Sequence, residues 1–212
     1  MNDKVDTVGI LLAGGLGRRM GGGDKFFREV GRRKILDWVI ERSKPQVGEL
    51  ILNANGDLTR FKNFGLTIVP DVITGFAGPL AGILSGLEWA LHNSPSINWV
   101  VSFATDAPFI PRNMVEMFKT GVATENIDIV CASSGGRKHP VFALWPVKIA
   151  KDLRHAITNE NIRKIDRFTA NYRIREIEFS IDPVDPFFNI NDIANLSEAE
   201  LLCRKINRLG DV

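Results

Sequence analysis

The 212-residue sequence predicts an α/β fold, a mostly parallel twisted sheet with helices on both faces. Three observations predict it. Short apolar, β-branched runs alternate with longer segments of helical period. The runs are apolar along their whole length, as strands covered on both sides must be. Polar residues of functional type gather just after those runs, where α/β sheets bind ligands.

The elements follow in order. Thr7-Val8-Gly9-Ile10-Leu11-Leu12 reads as the first strand, 7–12. Ile35, Val39 and Ile40 at helical spacing predict a helix over 35–44. Strands over 50–54 and 66–69 come next. Leu80, Leu84, Leu87 and Leu91 then predict a helix over 80–91. Further strands span 99–104 and 127–132. Between them Pro111 opens a helix, since proline is tolerated in a first turn. Beyond Ala132 the pattern changes to an extended stretch over 137–144, helices over 146–157 and 161–171, a strand over 173–179 and a closing helix over 192–207. No repeat, low-complexity tract or linker divides the chain. A single domain over 1–212 is expected, in two halves, 1–110 and 111–212.

Composition narrows the class. Hydrophobic residues make up 44% and charged residues 25%, as in soluble globular proteins. The formal net charge is only +2. Seven cations (Arg18, Arg19, Lys25, Arg28, Arg32, Arg33, Lys34) nevertheless crowd 18–34 against two acids, Asp24 and Glu29. A solvated basic face is one reading of that cluster. Its place after a glycine-rich turn favours a small polyanion, and nucleic acid is not expected as a partner. Cys131 and Cys203 have no metal-ligand spacing, and Cys131 lies in an apolar run as a buried thiol. No run of roughly 18 apolar residues exists and no signal peptide is seen. The expectation is a cytoplasmic protein without a membrane span.

The strongest feature is the stretch from Leu12 to Lys25. Six glycines between Gly14 and Gly23 follow a strand directly. Glycine brings backbone N–H groups close to an anion, and concave backbone of this kind binds phosphate. Arg18, Arg19 and Lys25 supply compensating charge. A dinucleotide fingerprint fails because Met20 stands where the third glycine belongs. A Walker loop fails because Asp24 and Phe26 flank Lys25.

The stretch resembles the molybdenum cofactor guanylyltransferases, within the Rossmann-like nucleotidyltransferases. Their opening L-A-G-G-x-x-x-R-M-G-x-x-D-K is matched at every fixed position from Leu12 to Lys25. Gly78-Pro79-Leu80-Ala81-Gly82, Thr105-Asp106-Ala107-Pro108 and His139-Pro140 match three further motifs in order. The closing N-x-N-T-P appears as Asn189-Ile190-Asn191-Asp192-Ile193, which keeps both asparagines and loses Thr and Pro. The resemblance spans about residues 7 to 200. It implies the Rossmann-like nucleotidyltransferase fold, with a small extended and helical insertion in the C-terminal half.

The activity it implies is transfer of GMP from GTP to the phosphate of a molybdopterin-type cofactor, with pyrophosphate leaving and Mg²⁺ as cofactor. Lys25, Arg19 and Asp106 are the expected catalytic residues. Leu12, Ala13, Gly14, Gly15, Lys25, Asn53, Asp71, Gly82 and Asp106 would bind the nucleotide. Asp106 would hold the metal, with Asn191 as a second oxygen, because magnesium takes oxygen ligands and keeps several waters. Asn189, Asn191 and His139 would face the phosphorylated pterin. Plainer readings stand beside these. Asp106 could cap a helix, Asn53 and Asn191 could be turn residues, Asp71 a loop cap, and His139 a structural histidine. The alternating Phe188-Asn189-Ile190-Asn191 puts two apolar side chains on one side and two amides on the other. A relative using CTP or acting on a sugar phosphate is the alternative enzyme, and a non-catalytic nucleotide-binding regulator the alternative class. The chain is expected to be a monomer that meets cofactor-delivery or molybdoenzyme-maturation proteins.

Overall fold

The computed structural model describes residues 6–13, 25–75, 78–123 and 126–209. Among these, β1 (Thr7–Leu12), β4 (Glu49–Asn53), β5 (Thr67–Val69), β6 (Trp99–Ala104), β7 (Ile129–Ser134), β8 (Arg137–Pro146) and β9 (Ile174–Phe179) form one sheet, in the order β5-β4-β1-β6-β8-β7-β9. Every pairing is parallel except the two made by β8, which runs against both β6 and β7. The order runs outward one way from β1 through β4 to β5, and the other way to β6. The β1–β6 junction is therefore the point where ligands lodge in open α/β sheets.

Apolar side chains on both faces explain why the strands lack simple alternation. One face packs Leu11, Leu52, Val101 and Phe103 against Leu36 and Val39 of α1 (Ile35–Ser43) and Phe118 of α3 (Met114–Val122). The other packs Val8, Ile10, Ile51 and Val100 against α2 (Pro79–Asn93), α4 (Ala150–Thr158) and α5 (Ile165–Thr169). Full burial of each such side chain contributes about 1.5–3 kcal/mol relative to exposure. At Gly86 of α2 an added Cβ would stand 2.7 Å from Ile10 Cδ1, so the helix lies closely on β1. Trp145 is fully buried, and its indole N–H donates to Ser102 Oγ at 2.8 Å. Cys131 is buried as expected, and burial pushes its thiol up to about 11.

Three sequence expectations needed correction. The helix expected over 146–157 begins only at Ala150. β8 continues to Pro146, because Ala143 and Trp145 face one core and Phe142 and Leu144 the other. The helix expected over 161–171 shrinks to Ile165–Thr169, since Asn161 has a φ of 54° and cannot lie within a right-handed helix. Pro111 does not open α3. Its carbonyl accepts from Gln46 Nε2 at 2.8 Å, and Gln46 Oε1 accepts from the Val115 N–H at 3.0 Å, so the first turn is satisfied by another element. A short hairpin, β2 (Glu29–Val30) and β3 (Arg33–Lys34), was not anticipated. It is tied down by Trp38 Nε1–H to the Val30 carbonyl (2.9 Å) and by the Gly31 N–H to Glu200 Oε1 (2.9 Å) of α6 (Ile193–Leu209). Among the described residues no helix is long and apolar enough to cross a membrane.

Candidate active site

The carboxyl ends of β1, β4, β5 and β6 converge, and side chains stitch them together. Thr105, just past β6, donates its hydroxyl to the Leu12 carbonyl at 3.0 Å. The Ala13 N–H donates to the Asn53 carbonyl at 2.9 Å. Asn53 is buried at the end of β4, and its amide donates to the Val69 carbonyl (3.1 Å) and to Asp71 Oδ1 (2.9 Å). Both amide hydrogens are thus spent on the framework, leaving Oδ1 as the group Asn53 can offer. Asp71 accepts at its second oxygen from Asn55 Nδ2 at 2.8 Å, and its N–H donates to Asn55 Oδ1 at 2.9 Å.

Gly82 closes this corner from above. A Cβ there would lie 2.4 Å from Asn53 Oδ1 and 2.7 Å from Leu12 Cδ2. Only a glycine lets α2 approach the strand ends this closely. Leu12, Ala13, Asn53, Asp71 and Gly82 therefore stand together. Gly14, Gly15 and Arg19 lie outside the described residues. Lys25 opens the short turn Lys25–Phe27, and its side chain also lies outside the description.

Asp106 is half-buried one residue beyond Thr105. It does not cap α3, whose N-cap is Asn113. Its carbonyl accepts from the Ile190 N–H at 2.9 Å, which draws the 188–191 segment to the end of β6. Phe188 and Ile190 pack into one small core beneath α6, in keeping with the expected alternation. Asn189 is half-buried, and its Oδ1 is buried without a hydrogen-bond partner among the described residues. Leaving such an oxygen unpaired costs about 1–3 kcal/mol, which makes it a candidate group for a ligand. Asn191 is exposed, and its N–H donates to Asn195 Oδ1 at 3.2 Å. Asp192 is the cap of α6, accepting from the Asn195 N–H at 2.8 Å.

His139 is buried against the Phe187 ring, with centroids 4.7 Å apart, and its Nε2 lies 2.8 Å from Ser134 Oγ. Burial lowers its pKa from the ordinary 6.5, against an opposite pull from Asp185. A histidine depressed in the folded state binds fewer protons folded than unfolded, so stability rises with pH through that window. The protein should therefore lose stability as pH falls from 6.5 towards the lower folded value, and His139→Gln should remove that component. Urea unfolding of both chains at pH 5.5 and 7.5 checks it. Equal pH dependence in the two would contradict it.

Sequence reasoning missed Asn55, Ser134 and Asp185. Asn55 was legible in Asn53-Ala54-Asn55-Gly56, two residues beyond a residue already chosen. Ser134 and Asp185 meet across 51 positions and carry no local signal. A cavity of about 500 Å³ between α5 and β7–β8, lined by Cys131, Lys138 and Asp166 among others, includes none of the strand-end residues.

A doubly wound sheet with a Thr-Asp strand end and a glycine-walled corner at its switch point defines a nucleotidyltransferase of the Rossmann-like kind. Comparison with known proteins agrees. Residues 9–174 match the model of the MobA-like NTP transferase domain. Over 200 residues the chain is 50% identical to a molybdenum cofactor guanylyltransferase of a Bradyrhizobium species, covering 94% of each protein. It is also 50% identical over 196 residues to the molybdenum cofactor guanylyltransferase of Nitrobacter hamburgensis, covering 92% of this chain and 94% of that one. Its fold is similar to the crystal structure of molybdopterin-guanine dinucleotide biosynthesis protein A from Archaeoglobus fulgidus, with a TM-score of 0.71 and 24% identity over 93% of this chain and 99% of that one. The chain belongs to the molybdenum cofactor guanylyltransferase family, within the MobA-like NTP transferases.

Proposed function

We propose that this protein transfers GMP from GTP to the terminal phosphate of a molybdopterin-type cofactor, releasing pyrophosphate. The observation that supports the reading is the Ile190 N–H to Asp106 carbonyl bond, which brings the backbone of the asparagine segment to the strand end that carries Asp106, at the sheet's switch point. An acceptor phosphate oxygen attacks the α-phosphorus of GTP, the bond to the bridging oxygen breaks, and pyrophosphate departs. Catalysis of this kind is mainly positioning and charge stabilisation.

The donor set fits magnesium. Asp106 offers a carboxylate, Asn189 a buried oxygen without a partner among the described residues, and Asn191 a further amide oxygen, all hard ligands of the type magnesium takes. When bound, the ion supplies positive charge to the phosphate oxygens. Asp106 would hold it, with Asn191 or Asn189 beside it. Leu12, Ala13, Gly82, Asn53 and Asp71 form the nucleoside wall, with Gly14, Gly15, Lys25 and Arg19 assigned to the phosphates. His139 and the two asparagines lie on the acceptor side. The protein works as one domain and a monomer in the cytoplasm, 1–110 holding nucleotide and 111–212 the pterin.

Nucleotide choice is tested by thermal shift with GTP, ATP, CTP and UTP in the presence of Mg²⁺. A ligand binding only the folded state stabilises it by about 2.7 kcal/mol at a hundred times its Kd, so GTP should raise the melting temperature by several degrees and the others by much less. Equal shifts from all four would remove the guanine assignment. A shift from CTP alone would reassign the donor.

A further inference from the structure

Asn189 is held from both sides. Ahead of it, Asp185 Oδ1 accepts from the Phe187 N–H at 3.0 Å, and the Asp185 carbonyl accepts from the Phe188 N–H at 3.2 Å. Behind it, Ile190 donates to the Asp106 carbonyl. Asp185 is itself anchored, because Ser134 at the end of β7 donates its hydroxyl to Asp185 Oδ1 at 2.9 Å. A serine has one hydroxyl proton, and an ionised carboxylate can only accept it. The contact between Ser134 Oγ and His139 Nε2 is therefore donated by the imidazole, which places a proton on Nε2. The same imidazole packs on Phe187, which also meets Phe142 at 4.8 Å and Phe179 at 5.3 Å between ring centroids. The chain from His139 through Ser134 to Asp185 ties the β7–β8 hairpin to the turn that delivers Asn189.

We propose that Asp185, clamped by Ser134 and His139, is the positioning residue that places Asn189 and Asn191 beside Asp106 for transfer to the acceptor. This rests on the reading that the two asparagines serve the acceptor side of the site. Asp185 touches no reacting atom and acts through the backbone it holds. Its loss should affect the acceptor half of the reaction and spare the nucleotide wall, whose residues belong to β1, β4 and α2 with their adjoining loops.

The test is a double-mutant cycle in the full chain, with kcat and KM measured against molybdopterin and Kd measured for GTP without Mg²⁺. Asp185→Ala should lower kcat/KM for the acceptor roughly tenfold or more while GTP affinity changes by less than about twofold. Asp185→Asn should recover most of the loss, since its amide oxygen can still accept from Ser134 and Phe187. The double variant with Asn189→Ala should be little slower than Asn189→Ala alone, because both changes remove the same placement. Should Asp185→Ala fail to fold, Ser134→Ala, which deletes only a hydroxyl, carries the same expectation. Additive losses with an impaired Asn189→Ala, normal transfer by Asp185→Ala, or a parallel loss of GTP affinity would each overturn the proposal alone. Normal transfer by Asn189→Ala would instead overturn the reading it rests on.

Discussion

Asp106→Asn should lower nucleotidyl transfer by about two to three orders of magnitude, the scale seen when one preorganised charge-stabilising group is removed. The fold should barely register the change. Asparagine has nearly the same shape, the side chain is only half-buried, and the bond that ties this strand end to the 188–191 segment uses the Asp106 backbone. A substitution of this kind usually shifts stability by no more than about 0.5 kcal/mol, or a degree or two of melting temperature at this size. Turnover and melting temperature measured on one preparation settle the matter. A collapse of the fold would make Asp106 a structural residue. Near-normal turnover would place the metal elsewhere.

Gly82→Ala should damage both stability and nucleotide binding. The added methyl group would sit 2.4 Å from Asn53 Oδ1, 3.1 Å from Asn53 Cγ and 2.7 Å from Leu12 Cδ2. Asn53 cannot swing aside, because its amide is already bonded to the Val69 carbonyl and Asp71. Overpacking of this kind costs about 1–3 kcal/mol, equivalent to several degrees at this chain length. Leu12 and Asn53 belong to the proposed nucleoside wall, so GTP affinity should fall roughly tenfold or more in the folded fraction. Gly86→Ala is the matched control. Its methyl group would meet Ile10 at 2.7 Å beneath the same helix, so it should cost stability and leave GTP affinity nearly unchanged. Equal effects of the two substitutions on affinity would separate Gly82 from the site.

Much of the site was legible because the strand ends were legible. Continuous apolar runs located β1, β4 and β6 to within a residue or two, and the candidate residues lie directly after them. Asp106 and Asn53 were chosen as candidates in this way, and Asp71 after β5. The Phe188 to Asn191 alternation was read from a period of two, and Phe188 and Ile190 do share one core. What failed were features set by tertiary contact. β8 keeps its strand to Pro146 because both faces are buried, which a helical spacing in the following residues obscured. Gln46 replaces a local helix cap for α3 from another element, so no cap signal could appear near Pro111. The Ser134–Asp185 bond joins residues far apart in sequence, each unremarkable in its own neighbourhood. His139 stood out only through its motif, and its burial and its bond to Ser134 belong to the folded hairpin.

The proposed reaction joins GMP to a phosphorylated pterin. It is tested most directly by incubating the protein with α-labelled GTP, Mg²⁺ and molybdopterin, and following the label and the pyrophosphate together. Label should appear in a pterin–guanine dinucleotide, with one pyrophosphate released for each label transferred and neither product when molybdopterin is omitted. Label transferred from CTP instead of GTP, or pyrophosphate released without any labelled pterin product, would contradict it.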